Sequence, residues 1–575
     1  MQKIIGIVFI SFFLSFSLFG QVIGIIEELQ GTVTISQEES AINLEEYDDL
    51  ILGQTIKVAD QSKITLSLND GTIFIFENDS EFFFNTYNDL FSLSPSFEIT
   101  VINGNFIVET GDLPKIARDQ TKIFIPGGEL ILNGTAVSGN MSNDQADVFL
   151  LTDSFGEKGE LKLQTPSGQS IDIAADSGLQ LQGETVTPKQ VDEQKINQMQ
   201  NLKQAIVNVA VVDEEKIEQI MQKKIASGKL TEAEVEKLRE KVIGKKAEKL
   251  NSIIQNTKEN SSILGDVISN SKEDQAGAVL EKIMADKPEI TGSVVNEVIS
   301  LNPDKLESVT KDNEELLTNI VKTVVAEATD NDDSVANIVS KASPEITTKM
   351  MTEISETREE LAVQVIAKVS VGAPEKITEL FESNEELATS LTEAVANSIV
   401  NDLDGSDSFK KIFVSADPKI LSNITSVVEQ QDSNITQNAV SELLKEDKDT
   451  VKNVIKKAAT AGANDIAEKT IKTAILQGES AMVQEAVIEI AEETLIENNN
   501  DNQNIVNLDL EDLIFEIEEE ILTTEVTEPI NDPIENISIS LVNSLEEIEE
   551  ENEEIIVEIE EEIIENLDTN LASPS

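Results

Sequence analysis

The chain reads as a multidomain protein. An N-terminal all-β domain, sandwich-like or solenoid-like, precedes an all-α helical-repeat-like region and an acidic tail that is partly disordered and prone to coiled coils. Three observations predict this order. Residues 21–188 hold eleven Phe and both tyrosines, whereas everything later holds only Phe381, Phe409, Phe413 and Phe515; large flat side chains gather where one compact core is being filled. Apolar residues alternate with polar ones before about residue 190 and recur at helical spacing after it. Basic residues stop at Lys472, beyond which 31 Asp and Glu follow.

Residues 1–20 read as an export signal, because Lys3 precedes an apolar run from Ile4 to Phe19 broken only by Gly6, Ser11, Ser15 and Ser17. A cut after Gly20 starts the mature chain at Gln21 but leaves Leu18 at the minus-three position. A cut after Gly24 starts it at Ile25, places Val22 there and fits better. The alternative is an uncleaved anchor reaching about Ile26, since only Gln21 interrupts that run and it is just long enough to cross a bilayer. The remainder is expected outside the cytoplasm: periplasmic, secreted, or anchored in the inner membrane and facing the periplasm. Membrane contact is expected only through this segment.

The β domain is expected over residues 25–188. Ile64, Leu66 and Leu68 alternate with polar residues, Asp70-Gly71 signals a tight turn, and Ile73 to Phe76 returns as a second strand. The same grammar predicts strands at Ile99 to Val101 and Phe106 to Val108 around an Asn103-Gly104 turn. It recurs at Leu130 to Leu132 before Asn133-Gly134. Further strands are expected at Val148 to Leu151, Glu160 to Leu163 and Ser170 to Ile173, with Gly156, Gly159 and Gly168 between them.

Gly31-Thr32-Val33, Leu52-Gly53 and the path from Ser62 through Leu66 and Leu68 to Asp70-Gly71-Thr72 resemble the first half of a FecR-type domain. Asn103-Gly104-Asn105-Phe106, Gly134-Thr135 and the later glycine turns are similar to its second half. The resemblance covers about residues 25–185 and rests on Gly31, Gly53, Asp70, Gly71, Thr72, Gly104, Gly134 and Thr135. In that family the domain often sits behind a membrane helix and a cytoplasmic segment that controls a sigma factor, relaying a signal from an outer-membrane transporter. Only three residues precede the hydrophobic run here, so no such segment is expected. The resemblance implies an envelope β module that binds a partner, and it brings no catalytic residues.

Helices are expected from 190 to 497. Thr231 with Glu234 forms a capping-box signature ahead of Val235, Leu238 and Val242. Pro288, Pro303, Pro344, Pro374 and Pro418 stand at helix-start positions, each followed by a charged residue and an apolar stripe. Pro303-Asp304-Lys305-Leu306 with Asn313-Glu314-Glu315-Leu316 matches Pro374-Glu375-Lys376-Ile377 with Asn384-Glu385-Glu386-Leu387, displaced by 71 residues. A looser match pairs Pro344 with Pro418, displaced by 74. A degenerate array of stacked helix pairs and an irregular bundle both accommodate this pattern. The densest basic stretch, Lys237 to Lys249, is interleaved with glutamates, which predicts a solvated helix surface with paired charges rather than a face for acidic lipid or protein.

The composition excludes much chemistry. The chain has no Cys and no His, so disulfides, thiolate sites, imidazole bases and ordinary zinc sites are absent. A net charge of −66 with only three arginines, Arg118, Arg239 and Arg358, argues against nucleic acid. The run Asp402-Leu403-Asp404-Gly405-Ser406-Asp407 offers Asp402, Asp404 and Asp407 as weak metal candidates. Its Gly is fourth and Phe413 stands where a closing Glu belongs, so a helix-capping turn is expected instead, as at Asp330-Asn331-Asp332-Asp333. No cofactor is expected, and calcium would associate only weakly with the acidic segments. Nothing marks a Ser-Lys or paired-carboxylate site, so an enzyme, with a carboxylate hydrolase as the remaining form, is not expected.

Residues 498–504 form a polar linker and 505–575 an acidic tail. Leu541, Leu545, Ile548, Asn552, Ile555, Ile559 and Ile563 approximate a heptad seam, a route to self-association. Glutamates crowd that seam, so a conditional helix forming on neutralisation is one expectation and a solubilising tail the other. The functional expectation is an exported envelope protein that binds or scaffolds an envelope protein or surface polymer. The alternative is a sensor component acting on another membrane protein.

Overall fold

The structure, a computed structural model, describes residues 20–490 apart from 38–39, 259–260, 330–332, 403–404, 433, 462, 480, 484 and 488. The chain divides into two compact units, Met1–Leu316 and Leu317–Ser575. Among the described residues are sixteen strands and nineteen α-helices, and no helix is long and apolar enough to cross a membrane. The linker and acidic tail, with their heptad seam, and residues 1–19 lie outside the described residues.

The first unit begins as a sheet. Strands β1 (Val22–Gln30), β6 (Lys63–Leu68), β7 (Ile73–Asn88) and β8 (Ser96–Glu109) lie side by side. The edge of β8 away from β7 is shared: β9 (Thr121–Ile125) runs parallel to its first half, and antiparallel β11 (Ala136–Ser142), followed by β12 (Gln145–Leu151), pairs with its second half. All sixteen strands join one hydrogen-bonded network. A single apolar core draws side chains from Ile23 in β1 to Leu181 near the far edge, and includes no residue beyond 190. The sheet therefore folds over on itself, because among the described residues its own strands, with Leu113 of the short helix Asp112–Ile116, enclose that core. Phe74, Phe76, Phe82, Phe84, Phe97 and Phe106 fill it; Phe76 stacks on Phe82 with ring centroids 3.6 Å apart.

Two boundaries differ from the sequence expectation. The domain begins at Val22 rather than 25: Ile23 is fully buried, Asn69 N donates to Ile23 O at 2.9 Å, and Leu52 N donates to Gln21 O at 2.9 Å. A cut after Gly24 would remove the start of β1, whereas a cut after Gly20 leaves the strand whole. Asn103-Gly104 is not a turn between two strands either. Strand β8 runs straight through it, and Gly104 stands at a bulge with φ of 101°, where a Cβ would meet Ser80 Cα at 2.3 Å. A bulge and a hairpin turn ask for the same left-handed glycine, so the local sequence does not separate them.

The expected helix starts are present. Thr231 and Glu234 form a reciprocal capping box, and Pro303, Pro344, Pro374 and Pro418 occupy first-turn positions, while Pro288 opens a 3-10 turn. In the second unit α10 (Ser334–Lys341) packs on α12 (Glu359–Gly372), α12 on α14 (Glu385–Asn401), and α14 on α16 (Pro418–Gln431). That stacking of every second helix is the pattern of an array rather than of an irregular bundle.

A repeated bond reinforces the array. The Lys287 amine donates to Thr257 O at 2.8 Å, 30 residues back, and Arg358 Nη1 donates to Ala328 O at 3.1 Å, also 30 back. Lys305 donates to Ser271 O and Lys376 to Ala342 O, each 34 residues back. The second member of each pair is the first displaced by 71 residues. Each cation caps carbonyls left open where an earlier helix ends, a charge-assisted bond at the negative pole of that helix.

Candidate functional site: a charged seam and its cavity

Within the first unit, helices α2 (Glu193–Ala210), α3 (Glu214–Ala226) and α4 (Glu232–Asn256) cover the outer face of the sheet. Ile25 and Tyr47 pack with Ile217, Met221, Val235 and Val242 as a second apolar cluster. Lys195 of α2 lies 5.0 Å from the Phe149 ring centroid and donates to Ser138 Oγ at 3.2 Å and Gln198 Oε1 at 2.9 Å.

The basic stretch of α4 is the largest correction. Lys237 is exposed and Arg239 pairs with Glu218 as expected, but Lys241, Lys245 and Lys249 stand four residues apart on one stripe and each reaches the sheet domain. Lys241 pairs with Asp49, Lys245 donates to Asn69 Oδ1 at 2.8 Å, and Lys249 donates to Gly71 O at 2.8 Å. Beside them Lys246 is buried, donates to Asn208 O at 2.8 Å and Val209 O at 3.4 Å, and faces Glu27 at 3.8 Å. On α3, Lys224 is buried against Asp48 and Glu45, and Lys216 pairs with Glu46 at 3.2 Å. Asp48 and Asp49 thus take lysines from two different helices.

A cavity of about 410 Å³ opens in this seam, lined by Glu27, Glu28, Tyr47, Thr65 and Lys246 with apolar Ala205, Val209, Val211 and Val212. Its floor breaks the rules of a regular sheet. Ile26 pairs with Leu66 and Glu28 with Thr65, so Glu27 is the extra residue of a β-bulge. Tyr47 holds a left-handed φ of 64°, uncommon for a bulky side chain, and its N–H donates to Ile26 O at 2.7 Å. Burial pushes the Glu27 carboxyl up, opposed chiefly by Lys246, and pushes the Lys246 amine down, opposed chiefly by Glu27. Burial, then Glu27, raises the Tyr47 phenol.

The expected site residues are turn-formers that do not gather in this cavity. Asp70 is buried and its carboxylate accepts from Thr72 N at 3.2 Å and Thr72 Oγ1 at 2.8 Å; Thr72 Oγ1 in turn accepts from Gly111 N at 2.9 Å. Thr135 N donates to Thr110 Oγ1 at 2.6 Å, so these two motifs meet at the end of β8. Gly31, Gly53, Gly71 and Gly134 all take left-handed backbone. Asp402 terminates α14 and accepts from Ser408 Oγ at 2.7 Å; Asp407 pairs with Lys410 at 2.7 Å, and Asp404 lies outside the described residues. Among the described residues no group of three or more acidic side chains is arranged to hold a metal ion.

Glu27, Thr65 and Tyr47 escaped sequence reasoning, although one signal was present. The two adjacent acids in Ile25-Ile26-Glu27-Glu28-Leu29 interrupt strand alternation, and such an interruption marks a bulge.

No family model matches the chain, and no curated protein matches it. Among solved structures, it is similar to two crystal structures, at 2.50 and 1.65 Å resolution, of a protein described as a putative anti-sigma factor from Parabacteroides distasonis ATCC 8503. Both matches have 13% identity and a TM-score of 0.20, and cover 25% of this chain and 62% of the other. The chain thus spans about three fifths of the length of the structures it matches.

Proposed function

We propose that this is an exported binding and scaffolding protein of the cell envelope, whose β domain engages a partner while the helical array acts as spacer or docking surface. The observation that carries the reading is the tip of the β7–β8 hairpin. Phe91 and Leu93 are 98% and 106% exposed, in a domain whose other phenylalanines largely fill the core. The tip is built to hold them out: Asp89 accepts from Phe91 N at 3.1 Å through Oδ1 and from Ser92 N at 3.1 Å through its carbonyl. Covering such side chains gains roughly 1.5–3 kcal/mol each, so a partner with an apolar cleft is favoured. No Lys or Arg lies between Lys63 and Lys115 to attract anionic lipid.

The export half of the reading is supported by the charged-then-apolar N-terminal order and by a sheet that starts at Val22, directly after that run. N-terminal sequencing of the native protein is expected to begin at Gln21; an intact Met1 on a water-soluble form would remove this half. A photo-crosslinking residue at position 91, in cells, is expected to join one envelope protein or polymer, and Leu93→Ser is expected to weaken that product. Crosslinking no stronger than from an exposed control position would remove the binding half.

A further inference from the structure

We infer that the seam cavity is a binding site for a compact organic cation, a primary amine or guanidinium on a short apolar body. The argument is a count of satisfied and unsatisfied polar groups. Every lysine lining the cavity already has acceptors: Lys246 donates to Asn208 O and Val209 O and faces Glu27, Lys216 pairs with Glu46 at 3.2 Å, and Lys272 pairs with Glu215 at 3.2 Å. Left over are a carboxylate, which accepts, and a hydroxyl, which can accept or donate. Glu27 has a side chain only 5% exposed, and among the described residues its ion-pair partner is Lys246 at 3.8 Å, a separation too long for a hydrogen bond. Thr65 Oγ1 is buried with no hydrogen-bond partner.

Two unsatisfied polar groups on one cavity floor are costly, and the chain goes to conformational expense to place them. The bulge at Glu27 gives that residue no partner on the neighbouring strand, and Tyr47 adopts a left-handed backbone against the same strand. Around the floor, Glu28 and Asp213 add two further carboxylates, while Tyr47, Ala205, Val209 and Val212 supply apolar wall. A ligand that donates hydrogen bonds and carries one positive charge satisfies Glu27 and Thr65 together, and its carbon body covers the wall. A carboxylate ligand would find lysines already engaged and the Glu27 carboxylate facing it. Lys246 compensates part of the Glu27 charge, so one cationic group, not two, is the match.

The test uses the purified protein with two monocations, n-butylamine and isoamylamine, as probes, and n-butyrate and n-butanol as charge-reversed and neutral controls of similar size, read by thermal shift and calorimetry. The amines are expected to raise the melting temperature at millimolar concentration, and the two controls to leave it in place. Glu27→Gln is expected to weaken amine binding at least tenfold. Thr65→Val, which leaves the carboxylate in place, should give a smaller loss and serves if Glu27→Gln does not fold. Butyrate binding as well as butylamine, silence from both amines, or an undiminished amine response in Thr65→Val or a folded Glu27→Gln would each overturn the assignment. None of these outcomes depends on where the protein resides.

Discussion

The sheet-and-seam head and the helical array use the same residue, lysine, in opposite ways. In the head two buried lysines answer particular carboxylates in geometries that occur once: Lys246 with Glu27, and Lys224 with Asp48 and Glu45. In the array, cations cap backbone carbonyls at fixed register, 30 or 34 residues back, and the arrangement recurs 71 residues on. Side-chain carboxylates can be lost by a single mutation, whereas backbone carbonyls cannot. The array therefore tolerates drift in sequence, while the head concentrates its vulnerability and its chemistry in a few charges.

The strongest way to break this comparison is Lys246→Met. It leaves Glu27 buried without compensation, at a cost of about 3–5 kcal/mol, and chemical denaturation of the head should show it. Lys246→Met combined with Glu27→Leu should recover much of the loss; if the double variant is as damaged as the single, the pair is not the cause. Next comes Gly104→Ala, which meets both the left-handed backbone and the Ser80 backbone, for about 2–3 kcal/mol. A hairpin turn in place of the bulge would show no such overlap.

The array supplies a matched pair. Lys305→Met and Lys376→Met each remove one charge-assisted bond to a carbonyl, and each should cost about 2 kcal/mol. Segment-resolved hydrogen exchange should show faster opening at the ends of the helices that precede Ser271 and Ala342. Markedly unequal losses would mean that the 71-residue displacement is a coincidence of sequence.

The smallest effect is in pH. Burial raises the Asp70 and Glu109 carboxyls above their ordinary values, so the stability they contribute is full at low pH and lost as pH rises through the folded values. Glu489 runs the other way: the bond from Lys452, then that from Lys456, holds it low, so its contribution is lost as pH falls through that depressed value. Mild acid should thus tighten exchange in the head, and only stronger acid, below the ordinary glutamate value, should loosen it near Glu489; Glu109→Gln should reduce the head effect alone.

Most elements were legible because their signals are local. A proline at a first helical turn, the Thr231–Glu234 capping box and the Asp70-Gly71 hairpin turn are each decided within four residues, and the strands around Leu66 and Phe74 follow from alternation. The lysine stripe of α4 was misread for the same reason. Glu236, Glu240 and Glu248 adjoin Lys237, Lys241 and Lys249 in the sequence, while the residues that take Lys241, Lys245 and Lys249 are Asp49, Asn69 and Gly71, 176 to 192 positions away. Spacing shows which lysines share a face and says nothing of what that face meets.

The sequence alone determined the order of a sheet-built front and a helical rear, the punctuation of the helices and the exclusion of His and Cys chemistry, because these depend on composition and on neighbours a few residues apart. Only the tertiary structure decided that β1 starts at Val22, that Gly104 is a bulge, and that Glu27, Thr65 and Lys246 share one cavity. Those outcomes depend on which distant chain segment comes to lie alongside, and burial then sets the cost of every charge that the meeting encloses.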